Sequence, residues 1–422
     1  MGYCPAIKMK KTFTLFLLFI TVFAVAQQQL TLNECYTLVK NNYPLNHQTE
    51  LLSRQTELDL AIINTKKLPQ LNFAAQATYQ SDVIGLPLPN ATPLNKDQYK
   101  ATLTANQLIY GGNQIAHLLN VKDVQLKTAQ KEIEVSLYQL KKQVNQIYFS
   151  VLLIQQKKAL LTNKQALLQT KLKEVQSGIK YGVLLPASDT VLETELAKIK
   201  QQFVALISSK EVLINTLSTL TKTAIPEATQ FKNPMLKETA TTTISRPEHE
   251  LFQLKKETVV AQEQLLSKEN YPKLIGFVTG GYGNPGLNML DNSFQEFYIV
   301  GLKLNWKVFD WNANKKKRQA ALINKEIIDN QTELFDLNTN IKLQQEQVEI
   351  AKLEQFIVTD LEIIELRKKV LKTTASQLKN GVVTSSIYVT ELSNLFEDEN
   401  ALKTHEIQLL LAQANYNVTI GN

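Results

Sequence analysis

The sequence predicts a mainly helical chain with a small β part, in which very long coiled-coil helices carry four membrane β-strands that close as a barrel only when several copies meet. Three observations lead there: two-residue alternation in four short stretches, an apolar ladder spaced by threes and fours along a very long helix, and recurrence of the whole pattern after about 200 residues.

The first strand is "LNFAAQATYQ", near 71–80, with Leu71, Phe73, Ala75, Ala77 and Tyr79 on one side and Asn72, Gln76 and Thr78 among the residues on the other. That is the period of a half-wet β-strand. A second lies near 99–109, where Tyr99, Ala101, Leu103 and Ala105 alternate with Lys100, Thr102, Thr104 and Asn106. A Gly-rich third lies near 274–283. A fourth, near 297–307, sets Tyr298, Val300, Leu302, Leu304 and Trp306 against Gly301, Lys303, Asn305 and Lys307. Neither half-wet face holds an acid.

Between and beyond these strands the chain reads as helix. Leu137, Leu140, Val144, Ile147, Val151 and Ile154 step by threes and fours, the coiled-coil spacing. Nothing stops a helix from Asn113 to Gly178, which at 1.5 Å per residue allows a rod of roughly 100 Å. The same features return: "LPQLNF" at Leu68 is answered by "YPKLIGF" at Tyr271, "LIYGGNQ" at Leu108 by "VFDWNAN" at Val308, and "YGVLLPASDTVLETE" by "NGVVTSSIYVTELSN". Leu334, Leu337, Ile341, Val348 and Ala351 would repeat the ladder 197 residues on, with Gln344 in the place of Ile147. The chain is read as a duplication: repeat one over 27–224, a Thr-rich linker over 225–247, and repeat two over 248–422.

Strands of about ten residues suit a tilted bilayer crossing, with the apolar side toward lipid. An open sheet edge in lipid costs several kcal/mol for each unpaired backbone group, and the smallest barrels use about eight strands. Four strands must therefore be shared between chains, and a trimer of twelve is the simplest closure. The residues expected to line the lumen are Asn72, Gln76, Lys100, Thr102, Thr104, Lys303 and Asn305.

The N-terminus supplies an address. Lys8, Lys10 and Lys11 precede "TFTLFLLFITVFAV", and Ala24-Val25-Ala26 suits a signal peptidase, so 1–26 is read as a signal peptide. A retained anchor is the alternative, but the apolar run is short for a bilayer. Cleavage would lower the formal charge from +7 to 46 − 3 − 39 = +4, a weak excess. Cys35 would then be the one cysteine left, so no intrachain disulfide is expected; its place on the apolar side of the first helix points to burial. Beyond the signal no uninterrupted apolar run reaches the length of a transmembrane helix.

"LTLNECYTLVKNNYPL", Leu30 to Leu45, resembles the opening of the TolC-like outer-membrane efflux proteins, and Thr31 with Glu34 forms a capping box. The order of helix, strand pair, long helix, Gly break and helix, repeated twice, extends that resemblance over nearly the whole mature chain. It implies a homotrimer in the bacterial outer membrane, with a periplasmic helical tunnel. Such a channel is a passive exit duct, working with a periplasmic adaptor and an inner-membrane transporter in drug efflux or type I secretion. It further implies adaptor docking at the hairpin tips, here Gly182, Val183, Leu184, Gly381, Val382 and Val383; the competing reading is that these valines and leucines pack against neighbouring hairpins to hold the tunnel shut. It implies a carboxylate gate near them, for which Asp189, Glu193 and Glu391 are candidates. Ile387 and Tyr388 stand where the family's usual aspartates would be, and Asp189 reads equally as a helix N-terminal acid. "WNANKKKR" replaces the family's Gly-Gly after the fourth strand, which "YGGN" keeps after the second.

Four scattered histidines, no paired cysteines, and no phosphate or dinucleotide loop leave no constellation for catalysis, metal or cofactor. The run Lys315 to Arg318 in an exported chain suits lipid phosphate or solvent rather than nucleic acid. The competing reading is a soluble periplasmic coiled-coil scaffold or adaptor without a pore, although an adaptor would need one central hairpin rather than two.

Overall fold

A computed structural model describes residues 29–84, 93–235 and 244–421, so the expected signal peptide lies outside the described residues. In chain order the elements are β1 (Gln29–Leu30), α1 (Leu32–Asn42), α2 (Pro44–Thr65), β2 (Gln70–Tyr79), β3 (Asp97–Tyr110), α3 (Gln114–Lys180) and α4 (Ser188–Thr221). Then follow β4 (Gln230–Phe231), α5 (Pro247–Ser267), β5 (Lys273–Asn284), β6 (Gln295–Asn305), α6 (Ala313–Lys379) and α7 (Ser385–Ile420).

Local chemistry sets the ends of these elements. The Thr31 hydroxyl accepts from the Glu34 amide at 3.3 Å while the Glu34 carboxylate accepts from the Thr31 amide at 2.7 Å, completing the expected capping box of α1. Tyr43 stays extended because Pro44 follows it, and this separates α1 from α2. No proline interrupts α3 or α6, each 67 residues long and so about 100 Å. They begin 313 − 114 = 199 residues apart.

β2, β3, β5 and β6 form one antiparallel sheet in that order. Pairing Phe73 with Leu103, Leu103 with Gly280 and Gly280 with Tyr298 places the apolar sets of all four strands on one face. That face is exposed: Phe73 is 72%, Leu302 68% and Tyr298 78% accessible. Backbone pairing stops at β2 on one side and β6 on the other, so both edges of the sheet are open among the described residues.

The helices form two antiparallel hairpins, α3 with α4 and α6 with α7, packed together in two main cores. Nearer the middle of the rod, Tyr148, Phe149, Val151 and Leu152 of α3 meet Cys35, Leu217, Phe231 and Ala414. Cys35 is fully buried, as expected, and burial pushes its thiol up to about 12. Toward the tips, Leu168, Val175, Leu192 and Ile199 meet Leu378, Tyr388 and Leu392. β4 pairs in parallel with β1 and falls within the expected linker, tying the chain's middle back to its start.

The second ladder differs from expectation. Matching helix starts and ends gives an offset of 199 rather than 197, and the inward positions of α6 are Ile328, Thr339, Glu346 and Leu353. Leu334, Leu337, Ile341 and Val348 face outward, Val348 at 70% exposure. α6 therefore carries two seams, and the more apolar one is exposed among the described residues. By length and composition α4 also passes as a membrane-crossing helix, but it is the return arm of this rod, with Val204, Ile207 and Val212 exposed.

Candidate functional site

Two regions hold the expected functional residues: one face of the sheet and the tips of the helical hairpins. In the sheet, Asn72 pairs with Thr104 and Gln76 with Lys100, while Thr102, Lys303 and Asn305 fall on the same side by register. Thr104 and Thr279 share a 3.0 Å hydroxyl hydrogen bond across β3 and β5. All seven residues proposed for the lumen thus share one face. That face is not uniformly wet, because Ile275, Phe277, Phe297 and Ile299 occupy it on β5 and β6. Phe297 lies over Gly281, where a Cβ would sit 2.2 Å from its ring, and the Lys100 ammonium stands 5.1 Å from the same ring. Glycine-rich alternation in β5 was the available signal: the missing side chain at Gly281 makes room for the Phe297 ring of the neighbouring strand.

At the opposite end, both long helices stop in the same way. The Val183 amide donates to Gly178 O at 2.9 Å and the Gly182 amide to Ile179 O at 3.0 Å, with Gly182 at φ +73°. Val382 to Gln377 O and Gly381 to Leu378 O repeat this, with Gly381 also at +73°. These are Schellman stops, which place glycine in the left-handed region and an apolar residue just after it. The two tips touch, since a Cβ on Gly381 would lie 3.1 Å from Val183 O, whereas Gly182 faces open space.

This contact divides the six tip residues. Val183 and Val382 remain exposed, at 54% and 70%. Leu184 and Val383, expected with them as docking residues, instead pack on the core between the hairpins, because the chain turns inward to begin α4 and α7.

The three candidate gate carboxylates also separate. Asp189 lies in the first turn of α4 and accepts from the Thr190 amide at 2.8 Å, the helix-start role. Glu193 is exposed one turn on. Glu391 is not a free acid: Arg367 of α6 approaches it at 3.5 Å and Asp398 at 2.9 Å, clipping α6 to α7.

A stronger polar cluster escaped the sequence reading. Lys164 of α3 donates to Glu195 of α4 at 2.8 Å and to Ser393 of α7 at 3.3 Å, with its ammonium 4.8 Å from the Phe396 ring. The Lys164 and Glu195 side chains are only 5% and 11% exposed. Burial pushes the Glu195 carboxyl up, but Lys164 and then Lys198 outweigh it, leaving the group below the usual carboxylate range. One buried pair therefore joins both hairpins. Its signal was faint: Lys164 falls on the inward side of an otherwise apolar ladder.

No protein-family model and no curated protein matches the sequence. Among solved structures the chain is similar to the outer membrane protein VceC of Vibrio cholerae, at 13% identity and TM-score 0.67, over 93% of this chain and 96% of that one. CusC, described for its transmembrane channel formation, is also 13% identical, with TM-score 0.70 over 93% and 92%. The Campylobacter jejuni CmeC outer membrane channel is 13% identical, with TM-score 0.66 over 92% and 85%. The likeness covers nearly the whole chain, and in fold the chain is similar to these outer-membrane proteins.

Proposed function

We propose that three copies of this chain close a twelve-stranded barrel in the bacterial outer membrane, continuous with a periplasmic helical tunnel, and that the assembly is a passive exit duct. The observation that carries this reading is the sheet itself: four strands with an exposed apolar outer face and open edges at β2 and β6. Such a sheet is untenable in lipid until its edges are paired. The outward seam of α6, from Leu334 to Val348, is the helical counterpart, an apolar coiled-coil stripe awaiting a neighbouring protomer.

A duct does no bond chemistry. Its work is to offer a wet wall, here Asn72, Gln76, Lys100, Thr102, Thr104, Lys303 and Asn305, and an inner end that opens on demand. A periplasmic adaptor would dock on the exposed tip residues Gly182, Val183, Gly381 and Val382, delivering cargo from an inner-membrane transporter. Asp189, Glu193 and Glu391 stand near that end, and the Arg367 clip on Glu391 would have to yield or move with α7 when it opens. The soluble-scaffold reading leaves the apolar sheet face without a use. Mass measurement of the chain extracted from outer membranes decides between them: a trimer in detergent is expected, and a monodisperse monomer, or recovery in the soluble fraction, would overturn the proposal.

A further inference from the structure

Trp311 is out of place. It sits at φ +54°, a region bulky side chains avoid, it is 81% exposed, and its one aromatic neighbour is Phe309, itself exposed, at 4.8 Å between ring centroids. Its counterpart in the first half is Gly112, at φ +61°, because Asn113 and Asn312, at +63° and +61°, each precede a 67-residue helix. Gly112 is pressed against Tyr271 from the foot of β5, so closely that a Cβ would fall 2.4 Å from the Tyr271 Cβ. The first-half counterpart of Tyr271 is Leu68, before Pro69 as Tyr271 is before Pro272. Inside the protomer Leu68 is 59% exposed.

We infer that β6 of one protomer pairs with β2 of a second copy of this chain in the register of the internal β3–β5 pair, and that Trp311 covers the neighbour's Leu68 at the foot of this seam. The inference rests on the trimeric reading above and specifies which residues meet. The junction asparagines set an offset of 312 − 113 = 199 between β3 and β6, and the prolines an offset of 272 − 69 = 203 between β2 and β5. The internal pair Thr104–Thr279 then becomes 104 + 199 = 303 against 279 − 203 = 76, which is Lys303 opposite Gln76. Gln107–Gly276 becomes Trp306 opposite Phe73, and Ala101–Tyr282 becomes Val300 opposite Tyr79.

Two properties of these pairs agree with the register. A one-residue slip would set the outer face of one strand against the inner face of the next. Here Lys303 and Gln76 are both inner, Phe73, Val300 and Tyr79 are all outer, and Trp306, one residue past the end of β6, continues its outer alternation. The chemistry also matches: an ammonium meets an amide carbonyl where the internal seam has its threonine pair, and an indole meets a phenyl ring across strands. At the foot the sizes are exchanged, glycine under tyrosine inside the protomer and tryptophan over leucine between protomers. Because Trp311 has a Cβ, the intersubunit foot stands about 1–1.5 Å wider than the internal one to restore ordinary carbon contact.

Cysteine pairs test the register in the full chain. In a Cys4→Ser background, with Cys35 fully buried, Lys303→Cys with Gln76→Cys should give a covalent trimer on mild oxidation. Lys303→Cys with Ala74→Cys or Thr78→Cys should crosslink roughly tenfold more slowly, since diagonal strand neighbours lie about 7–8 Å apart. Trimers that crosslink preferentially through residue 74 or 78, or through none of the three, overturn the register and leave the channel reading standing; a monomer overturns both. At the foot, Trp311→Gly should make the trimer dissociate at lower detergent stress, and adding Leu68→Tyr, which copies the internal junction, should restore it. A double variant no firmer than the single one, with fluorescence quenched by brominated lipid in a Trp306→Phe parent that keeps Trp311 as its single tryptophan, would place the indole in the membrane and overturn the contact.

Discussion

Replacing Lys164 with methionine keeps the stem of the side chain and removes its charge, leaving Glu195 buried in the core that joins the two hairpins. At 2.8 Å and an effective dielectric of about 20, the gross attraction is about 6 kcal/mol, most of it offset by desolvation of both groups. Removing one partner of a buried pair typically costs about 3–5 kcal/mol. Lys198 still stands 3.4 Å from the other Glu195 oxygen, so about 2–3 kcal/mol is expected here. Amide hydrogen exchange around Ile199 of α4 and Leu392 of α7, in detergent-solubilised protein, reads that local opening free energy. Glu195→Leu should cost a similar amount by stranding Lys164. The double variant should be less destabilised than the sum of the singles, with a coupling of about 1–2 kcal/mol. The lowered folded-state value of Glu195 means the stabilisation is present above the unfolded carboxylate range and lost as pH falls through the folded one. Protection should therefore persist through the usual glutamate range and fade only at a pH below it. Additive single and double variants, or loss of protection well above that pH, would refute the reasoning.

Other outcomes test different parts of the molecule. Leu302→Arg on the outer face of β6 should cost about 2–4 kcal/mol of barrel stability near the midplane, read by urea unfolding in liposomes, while Asn305→Arg should alter single-channel conductance instead. If Leu302→Arg assembled normally and Asn305→Arg did not, the facing would be reversed. Thr31→Ala removes the capping box of α1 and should cost about 1 kcal/mol, measurable as faster exchange of the Glu34 amide. Cys35, its thiol pushed up to about 12 by burial, should resist alkylation at pH 8 until the protein is denatured; rapid labelling in the folded state would contradict its burial. Gly182→Trp faces open space but sits at φ +73°, so it should strain the tip by about 1–2 kcal/mol, leave trimers intact and abolish export. Normal export would speak against docking there.

The strands and the long helices were legible because both signals are local. Leu71 to Tyr79 and Tyr298 to Trp306 alternate along their own backbone, and no distant contact is needed to say which residues share a face. Schellman stops at Gly182 and Gly381 are likewise written into a few consecutive residues. A helix with apolar residues on two sides cannot announce which side its neighbour will take, and α6 shows this. Leu334, Leu337, Ile341 and Val348 make the more regular ladder, yet Thr339, Glu346 and Leu353 face inward because α7 packs on that side, where Lys142 of α3 also reaches Glu346 at 3.1 Å. The same holds at the tips, where Val183 and Leu184 are alike in sequence but the turn into α4 leaves Val183 exposed and packs the partly buried Leu184 on the core between the hairpins. Lys164 and Glu195 are ordinary surface residues by composition, 31 positions apart, and became a buried link only when α3, α4 and α7 converged on them. What the sequence determined alone was each element and its two faces, since these depend on backbone geometry. Which face is covered, and by what, belonged to tertiary structure, because burial is a property of pairs of surfaces rather than of residues.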